Sequence, residues 1–179
     1  MIKKILLGSV VLALTTGASF ASPAPYVGAG LGVTVNTSKN FGYYRGVPFN
    51  VFAGYGGVVN QNFYLAGEVA ATVGTAEISN SSNGLKTSYG YGASVLPGFM
   101  LSDHTLAFAR AGVVRSRFSN PGTTVTGGQF GLGLQTTLAQ NIDLRGEYDF
   151  TAYRSINRSG LSSSPRSDAA NLALVYKIE

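Results

Sequence analysis

The sequence has no cysteine and a single histidine, His104, and only 12% of its 179 residues are charged. Without cysteine there are no disulfides and no thiolate chemistry, which is compatible with any compartment. One histidine and no thiol leave no donor set for a dedicated zinc site, so no metal or cofactor is expected. So little charge beside 45% hydrophobic residues argues against a disordered chain. After the N-terminus no run of 18 apolar residues occurs, so no transmembrane helix is expected. Basic residues form no continuous run, so the formal charge of +5 does not point to nucleic acid as a partner.

What the chain does have begins with a secretory pattern. Lys3 and Lys4 precede the apolar run Ile5–Leu14, and small residues and Ser19-Phe20-Ala21 follow. A positive end, a short hydrophobic middle and small residues at −3 and −1 describe a signal peptide. Cleavage is expected after Ala21, making residues 1–21 the signal and 22–179 one mature domain. The apolar run is about ten residues, against the roughly 20 a spanning helix needs. Losing Lys3 and Lys4 takes the formal charge from +5 to +3.

The mature chain alternates. In Ile142–Tyr153, Asp143, Arg145, Glu147, Asp149 and Thr151 occupy every second position, with Ile142, Leu144, Gly146, Tyr148 and Phe150 between them. A period of two is the side-chain repeat of a strand. Similar stretches are Tyr26–Asn36, Val47–Tyr55, Asn62–Gly74, Thr87–Phe99, Thr105–Arg117, Thr126–Leu138 and Asp168–Ile178. Thr105–Arg117 is the least defined, because both its faces are partly apolar. Pro48 is expected near a strand end, where its missing N–H costs least. Gly28, Gly30 and Gly32 make GxGxG rather than GxGxxG, with no helix pattern after it, so a nucleotide loop is not supported. Glycine on an inward strand face instead makes room in a narrow interior.

About eight strands of roughly 9–13 residues match the length that crosses a bilayer when tilted. Short turns fall near Gly57, Asp103 and Gln140, and long loops near Lys39, Ser81, Pro121 and Ser162. The loop segments are read as Glu77–Lys86, Phe118–Val125 and Arg154–Ser167. This alternation predicts an all-β fold, an eight-stranded antiparallel up-and-down transmembrane β-barrel with greasy faces toward lipid. Tyr55, Tyr89, Tyr148 and Tyr176 are expected on that lipid face, several of them in interfacial girdles.

FYLAGEVAATVG (Phe63–Gly74), YGASVLPGFMLSDHTLAFARAGV (Tyr91–Val113) and LRGEYDF (Leu144–Phe150) carry a family likeness. The chain resembles the small eight-stranded outer-membrane β-barrels: the OmpX and Ail proteins, the Opa-type opacity proteins and the OmpA transmembrane domain. The likeness runs from Tyr26 to Glu179 and implies a cell-surface protein of a Gram-negative outer membrane. Such chains usually end in an aromatic; here Ile178 holds that place and Glu179 follows. The resemblance implies lipid, lipopolysaccharide, the outer-membrane insertion machinery and host surface molecules as partners.

Two residue sets are candidate sites. The inward set is Glu68, Arg110, Arg145, Glu147 and Asp149, with Asp143 and Lys177 at its margin. Eight strands enclose just enough space for side chains, and buried charges there must be paired. The set reads as a polar plug; the alternative is a narrow, low-conductance porin-like path through rearranging pairs. Glu147 and Asp149 have the spacing of same-face carboxylates used in glycoside hydrolysis, but a closed barrel lacks the substrate cleft. The outer set is Lys39, Arg45, Lys86, Arg115, Arg117, Arg154, Arg158 and Arg166, in or beside outer loops, opposed only by Glu77 and Asp168. Arg and Lys bind phosphate through charge-assisted hydrogen bonds, and lipopolysaccharide presents phosphates there. Solvation of the loops would use the same residues without any ligand. No enzyme is expected: triads are built in space, not from consecutive Ser102-Asp103-His104. The related lipid A deacylase and palmitoyl-transferase barrels use a histidine near the outer leaflet, whereas His104 falls in a turn at the opposite end.

Overall fold

The computed structural model of the protein describes residues 23–38, 42–80, 86–118, 123–158 and 161–178. The N-terminal segment through residue 21 and Lys39 therefore lie outside the described residues. Ten strands run in chain order: β1 (Ala24–Ser38), β2 (Gly42–Asn60), β3 (Phe63–Asn80), β4 (Thr87–Ser102), β5 (Thr105–Phe118), β6 (Thr123–Ala139), β7 (Ile142–Tyr153), β8 (Ile156–Arg158), β9 (Leu161–Ser163) and β10 (Arg166–Lys177). All but β8 and β9 form one closed barrel, β1-β10-β7-β6-β5-β4-β3-β2, in which every neighbouring pair is antiparallel.

The register fixes the barrel's geometry. From Val35, the partners Asp168, Phe150, Phe130, Ala111, Val95, Gly67 and Tyr55 lead once round to Pro25. Position 35 has become position 25, a shear of ten residues, and that stagger tilts the strands against the barrel axis. Closure leaves no sheet edge, so backbone groups pair within the wall and side chains alone meet the surroundings. Outside stand Phe130, Leu132, Leu134, Val69, Val73, Val113, Leu172 and Leu174; Leu132 is 70% and Phe130 62% exposed. An apolar band this continuous suits a hydrocarbon solvent, since water-soluble monomers rarely expose such patches. Tyr89, Tyr148 and Tyr176 are exposed on the same outer surface, and Tyr55 is half-buried.

One end is compact. Gln61-Asn62, Asp103-His104 and Gln140-Asn141 are two-residue turns. Gln61 alone among the described non-glycine residues has a positive φ, 42°, and the other two turns form without one. Backbone bonds brace this end: Met100 N to Asn62 O at 2.8 Å, Thr137 N to His104 O at 2.9 Å and Ile178 N to Pro25 O at 2.9 Å. The other end carries the longer connections.

Several sequence expectations need correction. The strands run past their expected ends, because edge pairing continues wherever a neighbour supplies partners. Gly56–Asn60 belong to β2, so the first short turn is Gln61-Asn62 rather than near Gly57. Glu77–Asn80 extend β3, Thr123–Val125 open β6, and Arg166 and Ser167 open β10, all at positions read as loop. The stretch read as one long loop, Arg154–Ser167, holds the hairpin β8–β9, paired from Ile156↔Ser163 to Arg158↔Leu161. Pro48 lies inside the 19-residue β2 and not near its end. Its missing N–H is accommodated because the β1 ladder lapses between Leu31↔Phe49 and Thr34↔Gly46, beside a register shift at Phe49/Asn50.

Candidate functional site

The interior is stacked in layers along the barrel axis. At the turn end Tyr26, Ala66, Leu96, Leu106, Phe108 and Val175 form an apolar base, with Phe52, Tyr64 and Met100 packed against it. Small positions on facing strands admit these rings. A side chain at Gly28 would run into the Phe52 ring, one at Gly54 into Tyr26, and one at Gly133 into Phe108. A side chain at Gly32 would meet Asn171, so the GxGxG of β1 is relief for interior side chains.

Above the base lies the charged layer. Glu68, Arg110, Arg145 and Asp149 are 3%, 6%, 2% and 6% exposed. Glu68 on β3 accepts from Arg110 Nη2 at 2.7 Å and, through its other oxygen, from Arg145 Nη1 at 2.6 Å and Tyr26 Oη at 3.0 Å. Arg110 on β5 also donates to Glu147 on β7 through Nε and, at 2.9 Å, through Nη2; Nη1 reaches Ser94 Oγ at 3.3 Å. Arg145 Nε donates to Gln135 at 2.8 Å, and Gln135 donates onward to Asp143 at 2.7 Å. Lys177 Nζ closes that branch 3.0 Å from Asp143. The Arg145 guanidinium sits 4.7 Å from the Phe52 ring centre, 5.2 Å from Phe108 and 5.4 Å from Tyr26, so aromatic faces surround a cation already bonded to a carboxylate. Leaving any one of these charges unpaired at this depth costs several kcal/mol, so the network is cooperative by necessity.

Asp149 stands at the upper edge of that layer. Its Oδ2 accepts from Asn171 at 3.0 Å; Asn171 accepts from Asn50 at 3.1 Å, and Asn50 from Thr72 at 2.7 Å. Over this chain opens a cavity of about 130 Å³, lined by Asn50, Thr72, Gln129, Thr151 and Asn171 among others. At its outer end, on the β5–β7 side, a partial roof is made by the cluster Phe118, Val125 and Tyr153, with Tyr153 Oη 3.0 Å from Ser116 Oγ and the Phe118 and Tyr153 rings edge to face at 5.2 Å. Sequence reasoning found the charged residues of the interior. It did not single out Asn50, Thr72, Gln135 or Asn171, whose signal was only a polar residue at an inward position.

Toward the loop end the outer surface turns basic. Arg115, Arg117, Arg154 and Arg166 are exposed, and among the described residues none of them makes an ion pair. They share one side of the barrel. Arg115 pairs with Thr126, whose carbonyl accepts from the Arg154 backbone N at 3.0 Å, and Arg166 pairs with Ala152. Arg45, Arg115, Arg117 and Arg166 stand on strands that extend beyond the apolar band, where the sequence reading had them in or beside loops. Arg45 lies 5.9 Å over the Tyr43 ring, and Lys86 is 3.8 Å from Glu77. Asp168 accepts from Tyr148 Oη at 2.6 Å. Lys39 and the Arg158 side chain lie outside the described residues. His104 is exposed in its turn, and its backbone N, not its ring, faces Ser102 Oγ at 3.4 Å.

The sequence matches the model of the outer membrane protein beta-barrel domain over residues 5–177. The chain belongs to the outer-membrane β-barrel family. Its location is therefore the cell outer membrane, and the turn end faces the periplasm while the longer connections face outward. Among solved structures it is similar to neisserial surface protein A, at TM-score 0.63 and 19% identity over 88% of this chain and 100% of that one. The attachment invasion locus protein Ail of Yersinia pestis gives TM-score 0.54 and 17% identity, again over 88% and 100%. Ail in complex with the heparin analogue sucrose octasulfate gives 0.55 and 16% at the same coverage. At these identities the likeness concerns the fold. No curated protein matches the sequence significantly.

Proposed function

We propose that this protein is a closed, non-enzymatic surface barrel that holds lipopolysaccharide at its outer rim and presents its outer connections to other surfaces. One observation carries the reading: Arg115, Arg117, Arg154 and Arg166 stand exposed directly beyond the apolar band, without an ion pair among the described residues. A guanidinium at that height meets the phosphates of a glycolipid while the wall below meets its acyl chains. Arg45, Lys86 and, on the sequence pattern, Lys39 and Arg158 add positive charge around the same rim. Sulfated sugars present similar anionic oxygens, and Ail was solved with such a ligand, so a polyanion of a host surface is a second ligand class for the same residues. Reversing Arg117, Arg154 and Arg166 to Glu should weaken binding of the refolded protein to lipopolysaccharide while leaving its fold intact. Equal affinity for phosphorylated and dephosphorylated lipid, or no loss on reversal, overturns the reading.

The interior network of Glu68, Arg110, Arg145, Glu147 and Asp149 serves in this proposal as a plug rather than a path. An ion crossing the barrel would have to break paired charges and then pass the apolar base of Leu96, Leu106 and Phe108. Refolded protein in a planar bilayer should be electrically silent; discrete conductance that changes with Glu68→Gln or Arg145→Leu establishes the pore reading instead. Export and assembly complete the proposal. Residues 1–21 act as a signal cleaved after Ala21, and the barrel reaches the membrane through the outer-membrane insertion machinery. The N-terminal residue of the mature protein, read by mass spectrometry, tests the first part.

A further inference from the structure

The charged layer does not balance. Glu68, Glu147 and Asp149 face Arg110 and Arg145, while Asp143 is answered separately by Lys177 at 3.0 Å. Glu68 takes both guanidinium groups and Glu147 takes Arg110 through two nitrogens. Asp149 is left with neutral Asn171 on Oδ2, and its buried Oδ1 has no hydrogen-bond partner. The nearest cation, Arg110 Nε, lies 3.6 Å from that oxygen and already donates to Glu147. Asp149 Oδ1 and Glu147 Oε1 converge on the spot where Gly131 lacks a side chain. Three buried carboxylates share two guanidiniums, and Asp149 has the weakest part of that share, so this face of the cavity is one positive charge short.

We propose that the cavity binds one small monovalent cation against Asp149. Arg110 and Arg145 also line the cavity, with their charges taken up by Glu68 and Glu147, and Asn50, Thr72, Gln129 and Thr151 offer neutral oxygens to such an ion. Among the described residues no group of three or more histidine, aspartate or glutamate side chains is placed to hold a metal, which disfavours a divalent ion. A space of about 130 Å³ exceeds the roughly 10–15 Å³ one water needs on the same kind of measure, so the ion keeps part of its hydration shell. A space of this size above the apolar base does not admit a bulky organic cation. The site is independent of the arginine rim.

The test is equilibrium urea unfolding of the refolded full barrel in sodium or potassium chloride against N-methyl-D-glucamine chloride, at one pH and ionic strength. A ligand that binds only the folded state raises the midpoint in a saturable way. The midpoint should rise with the alkali cation and not with the organic one, and Asp149→Asn should remove the dependence. Gln129→Lys carries an ammonium into the same cavity with Asp149 intact, and should abolish the dependence should Asp149→Asn fail to fold. Equal wild-type midpoints in the two salts overturn the proposal, as does a dependence that persists in Asp149→Asn. A midpoint that follows pH but not the alkali cation, and does so only with Asp149 present, also overturns it by giving the charge to a proton held between Asp149 and Glu147.

Discussion

Below Glu68 the barrel interior is crowded and every charge there has a partner; above Asp149 it opens into a polar cavity with a carboxylate oxygen unanswered. The same eight strands build both halves, so the wall does not make the difference. In the periplasmic half two-residue turns hold the strands in register, and rings from three strands close around Arg145. In the outer half Thr, Ser, Asn and Gly line most of the space between Asp149 and the Phe118–Tyr153 cluster, and they are too small to fill it. The lower half is the filled one, packed with rings and paired charges. The upper half keeps space and spare polarity for solvent or a ligand.

The sharpest way to break this comparison is to remove the cation of the filled half. Arg145→Leu strips Glu68 of a 2.6 Å bond and leaves Gln135 without its donor. Removing one partner of a buried pair typically costs about 3–5 kcal/mol. Urea unfolding in detergent or vesicles should show a loss of that order. A loss under about 1 kcal/mol would mean that water reaches Glu68 and that the lower half is not dry.

Phe108→Ala comes next. It empties space beside Arg145, Leu96 and Leu106, where the cost of a Phe truncation is about 3 kcal/mol or somewhat more. The same variant tests which part of the interior blocks ions. With the base opened but every ion pair intact, the barrel should stay silent in a planar bilayer, because the charged layer still plugs it. Conductance from a correctly folded Phe108→Ala barrel would move the block to the apolar base.

In the upper half the expected effects shrink. Tyr153→Phe removes the hydroxyl bonded to Ser116 at 3.0 Å and leaves the edge-to-face contact with Phe118. One neutral hydrogen bond is worth about 1 kcal/mol, and the cavity can hydrate the freed Ser116. A loss as large as that of Phe108→Ala would show the roof to be as tightly built as the base.

How much of this was legible in the sequence follows the same division. Strict alternation in Ile142–Tyr153 fixed both the strand and its facing, and β7 has those bounds. Alternation also placed Glu68 and Arg145 on the inward face once the neighbours face lipid, whereas Arg110 was placed there on the less defined facing of Thr105–Arg117. Strand ends were not legible. Glu77–Asn80 read as loop by composition, yet β3 continues because β2 offers Tyr44 and Arg45 as partners. Nor was the cross-barrel hydrogen-bond chain: the Asn50–Asn171 bond spans β1 at its glycines and depends on the shear, which no local pattern encodes. The arginine rim was visible as residue types, but its concentration on β5, on β10 and just past the end of β7 appears only in the register.

The smallest expected effect discriminates most finely between the halves. Asp149→Asn keeps the shape of the side chain and can still accept from Asn171 through its amide oxygen. It removes a negative charge that one guanidinium meets only at 3.6 Å and without a hydrogen bond, whereas Glu68→Gln removes one that two guanidiniums claim. In N-methyl-D-glucamine chloride, Asp149→Asn should therefore change the unfolding free energy by less than about 1 kcal/mol, while Glu68→Gln loses several. Their order should hold in any detergent that keeps the barrel folded, because both side chains are shielded by the same wall. Were the two losses equal, Asp149 would be as fully paired as Glu68, and the upper cavity would have no charge left to bind.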